Sequence, residues 1–386
     1  MFAVFISGIS CFILLWLGDL RTQIWPAIVT MSIWSLSVLL FHPKKIKIRH
    51  LCLVAVFLRL MAMCMEPTLS DDIYRYIWEG HLITEGGNPY WQSPASVESS
   101  HWALKKVNHP HLTTVYPPLT QLIFAGLSWI LDSIYTFKGL SVVADLGILW
   151  GLFRLKCPPS ALWLYALHPL PILECGASGH MESWGVCAMI MALAYPKWGN
   201  LFLWLGAMIK LLPGVVLIAR VKSWIWAVGA TLGAMALGAY FSLWDIPHGA
   251  STYAQNWEFY SACFTIFQVL VGSWARFLCV LLGVGLVLYV WLFMRSASRQ
   301  LFWIAAGFIL ISPTVHPWYL LWVFPLALIR EERAWIILCT TYPLWYVALT
   351  TWDVQAQSWD PPWWPQLLSY GSLLLCWIIF PRKLST

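Results

Sequence analysis

Apolar runs long enough to cross a bilayer, or nearly so, recur from one end of the 386-residue chain to the other, beginning with residues 2–17, 25–41 and 51–65. Buried in lipid, a backbone must satisfy its own N–H and C=O groups, so serial runs of this kind fold as helices that pack on one another. Charged residues make up 10% of the chain, against about 25% in an ordinary soluble protein, hydrophobic ones 60%, and the mean hydropathy is +0.70. The pattern predicts an all-α integral membrane protein. It excludes a cytoplasmic enzyme, a secreted disulfide scaffold and a nucleic-acid binder. Six of the ten cysteines (Cys11, Cys52, Cys64, Cys187, Cys279 and Cys376) fall inside apolar runs and no CxxC pair occurs, so they read as small buried hydrophobes. The 28 tryptophans suit the two membrane interfaces.

The net charge of +6 points to topology. Lys44, Lys45, Lys47 and Arg49 follow the second run and place that segment on the cytoplasmic side. The next run then leads outward into residues 66–116, the longest polar stretch of the chain. Two later runs conflict with this scheme. If residues 117–135 and 139–153 both crossed, Arg154 and Lys156 would lie outside; the conflict disappears if 117–135, opened by a Pro pair, is re-entrant or interfacial. Run 201–219 is interrupted by Lys210 and Pro213 and ended by Arg220 and Lys222, which predicts two half-helices meeting at Lys210. With these exceptions Lys197, Arg295, Arg299, Arg330, Arg333, Arg382 and Lys383 all fall inside. The expected architecture is a multi-spanning helical bundle of about twelve crossings, a single domain over 1–386 with both termini cytoplasmic. Its other external loops are 176–183, 244–273, 312–318 and 351–366. Seven of the ten histidines lie on that external face, whereas the cytoplasmic loops are short and merely basic.

The first external loop opens Ser70-Asp71-Asp72-Ile73-Tyr74-Arg75-Tyr76-Ile77-Trp78-Glu79-Gly80-His81. On a helix Asp72, Arg75, Tyr76 and Glu79 share one face. Capping and solvated ion pairs account for such a pattern; equally, adjacent carboxylates at a bilayer surface suit general-base work, because partial desolvation raises proton affinity. Other residues stand out by position. Lys210 is an intramembrane charge beside a proline break, and on the reading that it lines a cavity, Lys210→Met should fold at least as stably as the parent. Arg59 either snorkels or supports the acidic motif through an ion pair, and His168 reads as a packing histidine. His101, His109 and His111 lack the spacing of a standard zinc site.

The stretches SDDIYRYIWEGHLITEGGNPY, VYPPLTQLIF, LHPLPILECGASGHMES and SPTVHPWYLLWVFPL, in this order between residues 70 and 326, resemble the multi-spanning C-type (GT-C fold) glycosyltransferases that use a polyprenyl-phosphate sugar. Within that group the bacterial polyprenol-phosphate-mannose-dependent mannosyltransferases are most similar. The resemblance implies an irregular helix bundle in the inner (plasma) membrane, with a catalytic acid at the start of loop 66–116 on the periplasmic or external side. It implies a hexose, mannose in the first place, moved with inversion from the polyprenyl-phosphate donor to a lipid, glycan or protein acceptor. Asp72 matches the family's acid, with Asp71 the alternative. Arg75, Tyr76, Glu79, Tyr116, His180, Glu182, Lys210 and His316 are the substrate-binding candidates, of which Arg75, Lys210 and His316 would balance the phosphate charge. Glu79 stands where many members carry Asp. No cofactor is required; a divalent metal is possible but not predicted. A carrier or flippase of lipid-linked sugars is the alternative from another class.

Overall fold

The computed structural model describes residues 2–42, 47–220, 248–353 and 358–380, together with the single positions 233, 238 and 241. Lys44, Lys45, Lys222, Arg382 and Lys383, five of the residues used above to assign sides, lie outside the described residues, as does the start of loop 244–273.

Helices α1 (Phe2–Leu17) and α2 (Ile24–Leu40) form an antiparallel pair, turned at Gly18, whose φ of 68° is costly for any residue with a Cβ. Helix α3 (Ile48–Met63) packs on α1 and leads into the polar segment. There α4 (Asp72–Thr84) begins with Ser70 Oγ accepting the Asp72 N–H at 3.3 Å, and carries Asp72 in its first turn, where the helix dipole favours a negative charge. Two 3₁₀ turns follow. Helix α5 (Pro118–Ile130) starts at the Pro pair and lies along α4, so closely that a Cβ on Gly80 would stand 2.5 Å from the Phe124 carbonyl oxygen. Thirteen residues rise about 20 Å, short of a hydrocarbon core about 30 Å thick, so α5 cannot span by itself.

Helix α6 (Ile134–Arg154), capped by the Ser133 hydroxyl, is long enough to cross. Among the described residues three helical segments are long and apolar enough to do so: Ile134–Arg154, Cys263–Phe293 and Arg333–Thr351. The remaining apolar helices are shorter. Helix length alone does not confirm about twelve crossings; within the apolar runs Pro159, Pro169, Pro213, Pro317, Pro325 and Pro343 each stand in the first two residues of a new helical piece. Segment Cys263–Phe293 has only 11% of its most apolar window buried, so most of it faces outward, as lipid contact requires. One continuous core runs from Ala3 to Cys376, and a second sits under α4, between α5 and the helix Glu182–Ala194.

The break at Lys210 is present: the helices Gly199–Ile209 and Leu212–Arg220 are separated by Lys210 in extended conformation, φ −151° and ψ 140°. Arg59 neither snorkels nor reaches the acidic motif. It is fully buried, its Nε donating to Asp145 of α6 and its Nη1 to the Ala55 and Ala166 carbonyls, because Asp145 offers a charge at the same depth. His168 is a packing residue whose Nδ1 accepts from Leu170 N, its ring against Phe324. All ten cysteines are free thiols.

Candidate active site

A cavity of about 500 Å³ opens beneath the segment Asn108–Pro117. It falls within the size range of small-molecule sites. Asp72, Arg75 and Tyr76 line it from α4, Glu182 from the start of helix Glu182–Ala194, Lys210 from the helix break, and His316 from the turn before Pro317. With Tyr116, seven of the ten residues singled out in the sequence share this wall. Asp71, Glu79 and His180 are not on it.

Helical geometry separates the two adjacent aspartates. Asp71 accepts from Arg21 Nη2 at 3.0 Å and faces a small cleft with Leu69, Leu349 and Trp352. Asp72, one residue on, turns to the cavity with 26% of its side chain exposed. Among the described residues no Lys or Arg side chain lies within 4 Å of its carboxylate; the basic side-chain nitrogen within that distance is Nδ1 of His180 at 3.9 Å. Desolvation, and then the Glu182 charge, push the Asp72 carboxyl up to about 6 against the partial opposition of Lys210.

Arg75 and Glu79 hold the roof. Arg75 Nη2 donates to the Asn108 and His109 carbonyls at 2.6 and 2.9 Å, and Nη1 donates to Leu112 O at 3.2 Å and to Glu79 at 3.3 Å. Glu79 also accepts from Thr114 Oγ1 at 2.8 Å and Gln121 Nε2 at 2.6 Å, one helical turn deeper than the cavity wall. His109 sits at φ 45°, a strained conformation for a residue with a Cβ, and the Arg75 bond to its carbonyl holds it there. Arg75 touches the cavity, yet both its Nη atoms are committed to loop carbonyls and Glu79, which suits a strut better than a phosphate ligand.

His180 is delivered by a constrained turn. A π-helical turn, Leu173–Ala177, precedes Gly179 at φ 72°, and the His180 N–H donates to Glu174 O at 2.8 Å. The ring is fully buried, stacked on Trp318 at 4.0 Å, and Trp318 stacks in turn on His316 at 4.5 Å. Burial with the Lys210 charge holds His180 far below the usual imidazole range, and His316 down to about 3, so both rings are neutral. Lys210 Nζ donates to Glu182 Oε1 and stands over the Tyr319 ring at 5.1 Å.

The histidine cluster differs from the expected one. His101 joins His81 and Asp132, away from His109 and His111. His101 Nδ1 accepts from Ala103 N, which leaves the proton on Nε2 facing Asp132 Oδ2 at 2.5 Å. The two rings are stacked at 4.1 Å with 21° between their planes, so an ion about 2 Å from both nitrogens would lie well out of a ring plane. The His101–Asp132 hydrogen bond ties loop 85–117 to the α5–α6 turn, with His81 Nδ1 3.6 Å from the same carboxylate.

Sequence reasoning missed Tyr253 and Tyr319, whose hydroxyls meet at 2.9 Å on the cavity wall, and Asn108, His109, Trp257 and Trp318 beside them. Trp318 and Tyr319, in the quoted HPWY stretch, carried a local signal. It also missed Glu174, which accepts from Tyr346 OH at 2.7 Å and faces His180 Nε2 at 3.6 Å.

Compared with known families, the chain matches the MptA_B family, described as alpha-(1->6)-mannopyranosyltransferase, N-terminal domain, over residues 2–238. The match spans more than half of the chain and contains Asp72, Arg75, Tyr76, Tyr116, His180, Glu182 and Lys210, while His316 lies beyond it. No curated protein and no solved structure matches the chain.

Proposed function

Because the chain belongs to the alpha-(1->6)-mannopyranosyltransferase family, it is a membrane mannosyltransferase, and we propose that it moves one mannosyl unit from a polyprenyl phosphate to an acceptor hydroxyl with inversion, Asp72 acting as general base. An α linkage formed with inversion calls for a donor whose phosphate is β-linked. The family description makes the primary 6-hydroxyl of a mannose residue the fitting acceptor, carried on a lipid or a glycan. No metal enters this scheme, because the leaving group is a single phosphate that one cation can meet.

The observation that carries the reading is the division of the two cavity carboxylates. Glu182 is engaged by Lys210, whereas Asp72 faces the cavity with its proton affinity raised. As the acceptor oxygen bonds to the anomeric carbon, its proton passes to Asp72, and the bond from that carbon to the phosphate oxygen breaks with its electron pair going to the phosphate. Lys210 meets the charge that appears there. Tyr76, Tyr116, Tyr253, Trp257, Trp318 and Tyr319 offer flat apolar faces and hydroxyls suited to sugar rings. The Lys and Arg distribution supports placing the site at the external or periplasmic face of the plasma membrane, within one catalytic unit over 1–386.

Purified protein with radiolabelled polyprenyl-phosphate mannose and membrane extract tests the reading. Label is expected in a product with a new α-(1→6)-mannose, absent with Asp72→Asn. Label that stays on polyprenyl phosphate with every extract refutes it and favours a carrier of lipid-linked sugars.

A further inference from the structure

Glu182 has two places to put its charge. Oε1 accepts from Lys210 Nζ at the helix break. Oε2 is buried, has no hydrogen-bond partner among the described residues, and lies 3.9 Å from Nδ1 of His180. That nitrogen is equally buried and unpartnered, in a ring fixed by its stack on Trp318. A buried carboxylate and a buried imidazole, both unsatisfied and less than about an ångström beyond hydrogen-bonding range, form a contact that a small side-chain rotation would make. Glu182 therefore sits between a cation it holds and a second nitrogen it can reach. Asp72, Glu174, His316 and the Tyr319 phenol also face His180 or the cation.

We propose that Glu182 is an exchangeable counter-ion of Lys210: the donor's phosphate takes the ammonium from it, the carboxylate turns to His180, and after transfer it reclaims Lys210 and expels the polyprenyl phosphate. The proposal rests on the reading of Lys210 as the phosphate-binding cation. Charge supplies the reason. The donor is a phosphodiester with one negative charge. Once the anomeric carbon has left the phosphate with its bonding pair behind, the product is a phosphomonoester carrying about 1.5–2 negative charges at neutral pH. A lysine with no competitor would hold that product more tightly than the donor, and release would limit turnover. A carboxylate on the same ammonium competes with both ligands and repels the more highly charged one more strongly, so it narrows the difference between them.

The test uses farnesyl phosphate, a monoester, and its methyl ester, the matching diester of one charge. Both are titrated into purified wild-type protein, Glu182→Gln, Lys210→Met and the double variant in detergent at pH 7.5. Glu182→Gln is expected to bind the monoester about tenfold or more tightly and the diester by a smaller factor. Lys210→Met weakens both, and in that background the Glu182→Gln change loses most of its effect. Glu182→Asp, with a shorter reach to Lys210, moves both affinities in the same direction by less, and serves if the Gln variant does not fold. A Glu182→Gln protein that binds both ligands more weakly, or keeps their wild-type ratio while Lys210→Met still weakens them, overturns the counter-ion. Lys210→Met without effect on either ligand brings down the phosphate reading itself.

Discussion

If Asp72 is the base, the rate must follow its ionisation. Its carboxyl is raised from 3.8 to about 6, first by desolvation and second by the Glu182 charge, with Lys210 pulling the other way. A base works ionised, so kcat/KM should fall on the acid side with a midpoint near pH 6, about tenfold per unit below it; roughly nine-tenths of the enzyme is competent at pH 7 and about a tenth at pH 5. Asp72→Asn keeps the size and removes the base, a loss of about 100 to 10,000-fold, or about 3–5 kcal/mol of barrier. Stability moves oppositely. A carboxyl whose folded pKa is raised is penalised when ionised, so above about pH 6 the wild type bears a cost of at most roughly 3 kcal/mol that shrinks as the pH falls from about 6 to 3.8 and is gone below that, where folded and unfolded chains are both protonated. The residual rate of Asp72→Asn should be flat where the wild type shows its acid limb, and its melting temperature should exceed the wild type's at pH 7.5 but not at about pH 3. The assay is initial rate against pH with short-chain donor at low concentration, with melting curves on the same preparations. An acid limb near pH 4, or the same limb persisting in Asp72→Asn, refutes the argument.

Four further outcomes follow from the contacts. Lys210→Met should lose about 2–3 kcal/mol of stability, because it strands the buried Glu182 carboxylate, and adding Glu182→Gln should restore most of it; this reverses what the sequence implied, and thermal melts of the single and double variants decide. Arg75→Lys should free the roof of the cavity, since one ammonium cannot reach three carbonyls and a carboxylate, and proteolysis within loop 85–117 should rise together with KM. Gly80→Ala should cost about 2 kcal/mol or more, because its Cβ meets the backbone of α5, and equilibrium unfolding would register it. In a cysteine-depleted protein, a cysteine at Glu98 should react with an impermeant thiol reagent on sealed spheroplasts and one at Ser298 should not; the opposite pattern inverts the proposed orientation.

Much of the site was legible because its signals are local. The spacing of Asp72, Arg75 and Tyr76 placed them on one helical face, the Pro pair announced the short α5, and Lys210 with Pro213 announced a broken helix. What stayed hidden depends on contacts far apart in sequence. Asp145 lies in an apolar run 86 residues from Arg59, and only the packing of α3 on α6 shows that they neutralise each other. Glu79 has the periodicity of the Asp72 face, yet Thr114 and Gln121 claim it from below. Tyr253 carries no pattern at all, and Tyr319, though inside the quoted HPWY stretch, has nothing in its spacing that says whether it faces lipid or the cavity.

On the proposed reading, the cavity also accounts for why Asp72 rather than Glu182 would act as the base. Asp72 and Glu182 enter the same space with similar side chains, so their roles come from their neighbours. Glu182 begins a helix that faces the broken end at Lys210, and the ammonium takes it. Asp72 begins α4, where Arg75 is the nearest arginine in sequence; but Arg75 is drawn upward by the carbonyls of Asn108, His109 and Leu112. Were the roof to release Arg75, the guanidinium could swing toward Asp72 and lower its proton affinity, and the base would weaken. The strained turn at His109 thus bears on the proposed base: by occupying Arg75 it keeps Asp72 without an arginine partner among the described residues, and the loop over the cavity would thereby set that carboxylate's proton affinity.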